Sequence, residues 1–347
     1  MKTKILIVIL ILAIVACGIL VGMKFILGKE ESETSGNTTE DENEVMTVVL
    51  KDKEDDTSKS KYAGNERTIA IAIDNVGDAV PQTGLNEAMI VYEMYVEGGL
   101  TRFLAIYKNA NVDTIGPIRS ARPCFVDYAL ENDSIFVHYG GSSRGLSDVK
   151  SYNMDNANGI ESPANVFWRT DKKTAPHNAL SNTERVWEYA NKRNYRKTTT
   201  ERNVLNYVTD TVTLEEGMDA TTVNIPYSTS KVKFVYNPET EKYERYVGNT
   251  LRKDWLTGET LTAKNIIITF AQNYTTDEDS KGIQEIENIG TKDGYYITNG
   301  KAIKITCNKT SREAKTVYKD LNGNEIKVND GNTYIQIVPL SLKVTFE

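Results

Sequence analysis

The sequence predicts an α+β fold: a mixed α/β N-terminal domain with antiparallel hairpins and flanking helices, followed by a β-rich C-terminal domain. Three observations carry this. Short apolar runs with a period of two, closed by Asn, Asp or Gly, recur from Thr68 onward. Helical spacing is confined to a few stretches between residues 123 and 196. Beyond residue 215 the pairs Asn299-Gly300 and Asn322-Gly323 separate strand-like runs, and no helical period returns.

The chain opens with Lys2 and Lys4 ahead of an uninterrupted apolar stretch from Ile5 to Met23. Two readings of residues 1–29 stay open. In one, Ile14-Val15-Ala16-Cys17 is a lipobox in a signal peptide, and Cys17 is lipidated to become the new N-terminus. In the other, the stretch crosses the membrane as an uncleaved signal anchor, being long enough for a roughly 30 Å hydrocarbon core. Both leave the rest of the chain on the extracytoplasmic face of the cell membrane, since the Lys residues hold the start inside. Residues 30–65 follow as an acidic, Ser/Thr-rich tether that is nearly free of aromatics and reads as disordered.

Composition excludes several classes. The 347 residues hold 41 Lys plus Arg against 48 Asp plus Glu, a formal charge of −7. Residues 1–29 carry +4 and residues 30–61 carry −7, leaving −4 for the folded part. No basic stripe for nucleic acid is present. A mean hydropathy of −0.43 excludes a multi-span membrane protein. Three Cys and two His cannot supply a disulfide framework or several zinc sites, so packing must hold the fold, and no metal or cofactor is expected.

In the first domain, residues 66–200, the strand TIAIAI ends at Asp74-Asn75. A second strand, Met89 to Val96, alternates, with Ile90, Tyr92, Met94 and Val96 on one face and Val91, Glu93, Tyr95 and Glu97 on the other. Gly98-Gly99 reads as a two-residue hairpin turn, which would set Arg102 opposite Tyr95 with Glu93 and Glu97 diagonal to it. That trio is either an ion-pair cluster or the floor of a polar pocket. Pro123 then opens a helix, placing Arg119 and Arg122 at its start, where a positive dipole end makes two cations wasteful unless an anion neutralises them. Glu93 or Glu97 could do so, as could a bound phosphate or carboxylate.

Next comes the strand carrying His138 and the loop Gly140-Gly141-Ser142-Ser143-Arg144-Gly145, a candidate nest of N–H groups for an oxyanion. It is not a Walker A loop. It satisfies G-x-S-x-G around Ser143, with Asp171 and His177 downstream, but their closeness leaves no room for the strands that separate such a triad. Residues 165–178 read as a loop across the same face, adding Arg169, His177 and Asn178. Ser181-Asn182-Thr183-Glu184 is a capping box that opens the closing helix. The second domain, residues 215–347, reads as hairpins ending in a meander strand at Thr333 to Val338. It shows no clustered acid/base or ligand spacing.

These motifs resemble a known family. Asp74-Asn75, Pro81-Gln82-Thr83-Gly84-Leu85, Glu97-Gly98-Gly99, Thr101-Arg102-Phe103, the run Gly116 to Pro123, His138-Tyr139-Gly140-Gly141-Ser142 and Pro176-His177-Asn178 resemble the YerB-like lipoprotein family of Gram-positive envelope proteins. Tyr243-Glu244-Arg245, Thr257-Gly258 and Gly331-Asn332-Thr333 extend the resemblance into the second half. It implies a surface-anchored, two-domain protein and no reaction. One departure is the stretch Thr306 to Lys309, where such proteins commonly carry a Trp. A fainter similarity, Thr101 to Ile106 followed by Ile118-Arg119-Ser120, is to the LytR-CpsA-Psr envelope enzymes. Arg102 stands near the place of their metal-binding Asp.

The functional expectation is a site for an anionic, phosphate- or carboxylate-bearing ligand. Arg102, Arg119 and Arg122 would form it, surrounded by Glu93, Glu97, His138, Ser142, Arg144, Arg169, His177 and Asn178. A phosphoryl or glycosyl-phosphate transfer enzyme with Glu93 or His138 as base is the alternative, and a protein-interaction scaffold is a third. Partners expected are the membrane, through the anchor, and an envelope glycopolymer precursor or envelope protein. No nucleic acid is expected.

Overall fold

The computed structural model describes residues 49–50, 56–161, 165–276 and 282–347. Cys17, both alternative anchors and most of the acidic tether lie outside the described residues. Among the described residues no helix is long and apolar enough to cross a membrane. The far end of the stretch expected to be a disordered tether is packed: Tyr62 is fully buried with its ring 4.7 Å from that of Tyr207, and Ser60 donates to Asp330 at 2.9 Å. The buried Tyr62 ring and the hydrogen bonds from Ser60 and Lys61 to Asp330 hold this end of the segment against the fold.

Strand β1 (Ile69–Ile73) is buried along its whole length, and its alternation explains how. Ile69, Ile71 and Ile73 enter one hydrophobic core, Ala70 and Ala72 the other. The other elements that frame the site are β2 (Ile90–Tyr95), β3 (Thr101–Tyr107), α1 (Pro123–Glu131), β4 (Ile135–His138), α2 (Ser143–Ser151), β5 (Asn156–Asn158) and α3 (Thr183–Lys192). From the second half come β6 (Thr222–Pro226), β7 (Lys231–Asn237), β8 (Lys242–Val247), β9 (Asn265–Thr275), β10 (Gly290–Thr298), β11 (Lys301–Lys309) and β12 (Thr333–Pro339).

Strands dominate. The main sheet has 12 strands, with the central order β11-β10-β9-β12-β2-β3-β1-β4-β5, and a second sheet of six is built on β8-β7-β6. One core lies between the main sheet and α1, α2 and residues 204–214. The other lies between the main sheet and the β6–β8 sheet with α3. Each Val, Leu or Ile buried in either core contributes roughly 1.5–3 kcal/mol.

Strand β12 does not close a meander. It runs parallel to β9 on one side and to β2 on the other, placing Gln336 opposite Glu93. All seven of its residues are buried, as a central strand requires, and its neighbours are therefore distant in sequence. The run at 327–329 likewise pairs in parallel with residues 206–208, while the residues just before it turn back antiparallel on the 317–319 strand across Asn322-Gly323 through the bridge Lys319–Glu325. The Asn299-Gly300 hairpin is as expected, with positive φ at both turn residues joining β10 to β11.

One local detail differs from the sequence reading. The N-cap of α3 is Asn182, whose side chain accepts from the Arg185 N–H at 2.8 Å. Ser181 is instead buried and donates to the Val166 carbonyl at 2.8 Å, leaving the cap to the equally good Asn one position on. Cys124 and Cys307 are free thiols, each pushed up to about 12 by burial.

Candidate functional site

The site begins where β1 ends. Asp74 leaves the sheet fully buried, and the loop carrying Arg119 is tied beside it by the Arg119 N–H donating to the Ala72 carbonyl at 2.9 Å. The next loop is tied to that one by the Ile118 N–H donating to the Ala179 carbonyl at 2.7 Å. Two loops and strand β3, which carries Arg102, thus deliver three side chains to one carboxylate. His177 Nδ1 lies 2.6 Å from Asp74 Oδ2, Arg119 Nε lies 2.9 Å from the same oxygen, and Arg102 Nε lies 3.8 Å from Oδ1. The Asn75 N–H also donates to Oδ1, at 3.0 Å.

A second carboxylate lies beside the first. Glu97 accepts from Arg122 Nε at 2.8 Å and from Arg122 Nη2, and from Arg102 Nη2 at 2.8 Å. Burial alone would raise the Glu97 carboxyl. The Arg122 hydrogen bonds and the charges of Arg102 and Arg122 overcome this and hold it at about 2. Arg102 is only 4% exposed, and its Nε and Nη1 hydrogen-bond to no described group. Burial, then the charge of Arg122, pushes its guanidinium down from the ordinary value.

The hairpin register separates Glu93 from this cluster. The turn spans three residues, Glu97–Gly99, so Tyr95 pairs with Thr101 and Met94 with Arg102, one residue off the register a two-residue turn would set. Arg102 therefore shares the face of Met94, while Glu93 points to the opposite one. There Glu93 accepts from Arg245 Nη2 at 3.0 Å on each oxygen, from Gln336 at 3.1 Å, from Thr101 at 2.9 Å and from Asn75 at 3.2 Å. A carboxylate so engaged is a structural group and not the base of the expected transfer site.

His138 is also elsewhere. Its Nδ1 donates to the Gly140 carbonyl at 2.8 Å, and the ring borders a separate cavity of about 700 Å³ with Ser143, Lys150, Asn156, Arg193 and Tyr195. Burial lowers its pKa. The glycine-rich loop does not form an open nest: the Gly140 N–H donates to Asn158, the Ser142 N–H to the Ala121 carbonyl, and the Gly145 N–H to the Ser142 hydroxyl that caps α2. Arg144 pairs along its own helix with Asp148 at 3.2 Å. Arg169 donates to Asn178 at 2.5 Å and covers the Tyr139 ring, and Asn178 donates to the Thr170 carbonyl, so these two brace the loop that presents His177. His177 turns to Asp74 and not to Asp171, and Ser143 lies at the other cavity, so no Ser143 triad forms.

The structure therefore gathers Arg102, Arg119, Arg122, Glu97 and His177, and adds Asp74, which the sequence reading left out of the site. The available signal was its position, an acid closing an apolar strand and leading directly into Asn75. Comparison with known proteins bears on what this cluster belongs to. Models of the N-terminal and C-terminal domains of a protein family of unknown function, DUF3048, match residues 56–196 and 223–335. A Bacillus subtilis (strain 168) protein named "Putative lipoprotein YerB" is 31% identical over 285 residues, covering 79% of this chain and 81% of the relative. The chain belongs to the YerB-like, DUF3048 family. The crystal structure of the B. subtilis YerB protein superposes with a TM-score of 0.72 at 28% identity, over 81% of this chain and 94% of that one. The cluster of Asp74, Arg102, Arg119 and His177 falls wholly within the N-terminal family domain, and Glu93 receives its Arg and Gln partners from positions around the C-terminal one.

Proposed function

We propose that this chain is a membrane-anchored protein of the extracytoplasmic cell envelope that binds an anionic, phosphate- or carboxylate-bearing ligand at the arginine cluster around Asp74 and Glu97. Supporting the anchor are Lys2, Lys4, the apolar stretch to Met23 and Cys17, together with the lipoprotein name of the B. subtilis relative. The observation that carries the ligand is Arg102, a buried guanidinium whose Nε and Nη1 have no acceptor among the described residues. An unsatisfied buried donor costs about 1–3 kcal/mol, more when charged, and an anion accepting from it removes that cost. Charge agrees: three guanidinium groups face two carboxylates, Asp74 and Glu97. A phosphate-bearing envelope glycopolymer precursor has the required chemistry.

The test is calorimetric titration of the detergent-solubilised full chain with phosphate, pyrophosphate and citrate. One saturable site is expected, weakened about tenfold or more by Arg119→Gln, the loss of one charge-assisted contact. Absence of saturable binding for all three anions refutes the reading.

A further inference from the structure

We infer that His177, oriented by Asp74, is a general base at the edge of the anion site, making it a centre for hydrolysis or transfer of phosphoryl groups. This rests on the anion-binding reading above. The geometry begins with Asp74, which is fully buried and lies 2.6 Å from Nδ1 of His177. A carboxylate accepts, so the proton of the neutral imidazole sits on Nδ1 and Nε2 carries the lone pair. Nε2 hydrogen-bonds to no described group, and the side chain is 22% exposed, so a solvent molecule or a substrate hydroxyl can reach it.

Arg119 completes the arrangement. Its Nε lies on the same Asp74 oxygen that orients His177, and its two terminal nitrogens hydrogen-bond to no described group. A planar guanidinium fork with free ends matches two oxygens of a phosphoryl group, and Arg102, whose Nε lies 3.8 Å from the other oxygen of Asp74, adds donors on Nε and Nη1 that no described group accepts. A base is of no use to a protein that merely holds a carboxylate, whereas a phosphoryl group under attack by a hydroxyl needs one. Among the described residues no Ser, Thr or Cys side chain bonds to Nε2, so the nucleophile arrives with the reaction as water or an acceptor hydroxyl.

In the step, the nucleophile oxygen forms a bond to phosphorus as the bond from phosphorus to the leaving oxygen breaks. The nucleophile's proton passes to Nε2 of His177, and the imidazolium returns it to the leaving oxygen or to water. Nothing is oxidised or reduced. Arg119 and Arg102 stabilise the charge on the non-bridging oxygens.

The experiment compares the full chain with His177→Gln on inorganic pyrophosphate, p-nitrophenyl phosphate and bis(p-nitrophenyl) phosphate, with pyrophosphate affinity measured in parallel. Expected is turnover by the wild type that falls on the order of 100-fold or more in the variant, with affinity changed by less than about threefold. Free imidazole is expected to restore part of the rate to His177→Gly, which a merely structural histidine would not allow. If the wild type is no faster than His177→Gln on any probe, or if affinity and rate fall together, the base assignment is overturned. Retained pyrophosphate binding by an inactive wild type would leave the anion reading standing, whereas loss of that binding removes both.

Discussion

Among the described residues Glu97 is the one acid that pairs with both Arg102 and Arg122, which makes Glu97→Gln the sharpest probe of the cluster. The carboxyl lies at about 2 in the folded chain against an ordinary 4.5. Its folded pKa is depressed, so its contribution is full above about pH 4.5 and is lost as pH falls through about 2. At 1.36 kcal/mol per pKa unit the whole shift would be worth roughly 3 kcal/mol, and discounting for partial solvent screening leaves about 2 kcal/mol. Glutamine keeps the shape while removing the charge that separates two guanidinium groups. Urea unfolding followed by the fluorescence of the three Trp residues should show the variant less stable by about 2 kcal/mol at pH 7 and by less than half of that at pH 3. Added phosphate should recover more stability in the variant than in the parent, because it supplies the missing negative charge. A difference that is equal at pH 7 and pH 3 would show that the charge of Glu97 is not what stabilises the fold.

Three further outcomes test the frame around the site. Lys309→Met removes a 2.7 Å ion pair from the fully buried Glu131, which also accepts from Tyr92 and Thr316; a loss of about 3–5 kcal/mol in chemical denaturation is expected, partly reversed by adding Glu131→Gln. Gly300→Ala forces a side chain onto a residue at φ +78 and sets its Cβ 3.2 Å from the Tyr236 ring, so the thermal midpoint should fall by the equivalent of about 1–2 kcal/mol. Ser142→Ala deletes the 3.1 Å cap of α2 at a cost of about 1 kcal/mol, measurable as faster amide exchange in its first turn.

Much of this was written in local pattern. The alternation of residues 89–96 assigned Ile90, Tyr92 and Met94 to one core and Val91 and Tyr95 to the other, because a strand buried on both faces still obeys a period of two. Pro123 marked the start of α1, and Asn299-Gly300 marked a hairpin. The register at Glu97–Gly99 was not legible, because two glycines fit a two-residue or a three-residue turn equally well, and the difference moves Arg102 to the other face from Glu93. Long-range parallel pairing was equally hidden: nothing local in Thr333–Pro339 says that it lies between β9 and β2. His177 was legible as a site residue, but its partner was not, since 103 positions separate it from Asp74. His138 looked equivalent to it in sequence, and only the Gly140 carbonyl distinguishes a structural imidazole from a presented one.

The insertion of β12 beside β2 makes the cluster depend on residues that never touch it. Gln336 and Arg245 hold Glu93, Glu93 holds the Asn75 amide, and Asn75 donates its backbone N–H to Asp74. Gln82 reinforces the path by donating to both the Asn75 side chain and the Asp74 carbonyl at 2.9 Å. Arg245→Met should therefore leave Glu93 buried and short of its cation, at about 3–5 kcal/mol, and free Asn75 to move. The expected signature is a weaker pyrophosphate affinity in a variant whose altered residue contacts neither arginine nor His177. Adding Glu93→Gln removes the uncompensated charge and should restore most of the stability while leaving the affinity low, because a neutral amide still lacks the two 3.0 Å contacts that fix its position. Stability and affinity returning together would instead mean that the charge alone mattered, and that the second half serves the site only by keeping the chain folded.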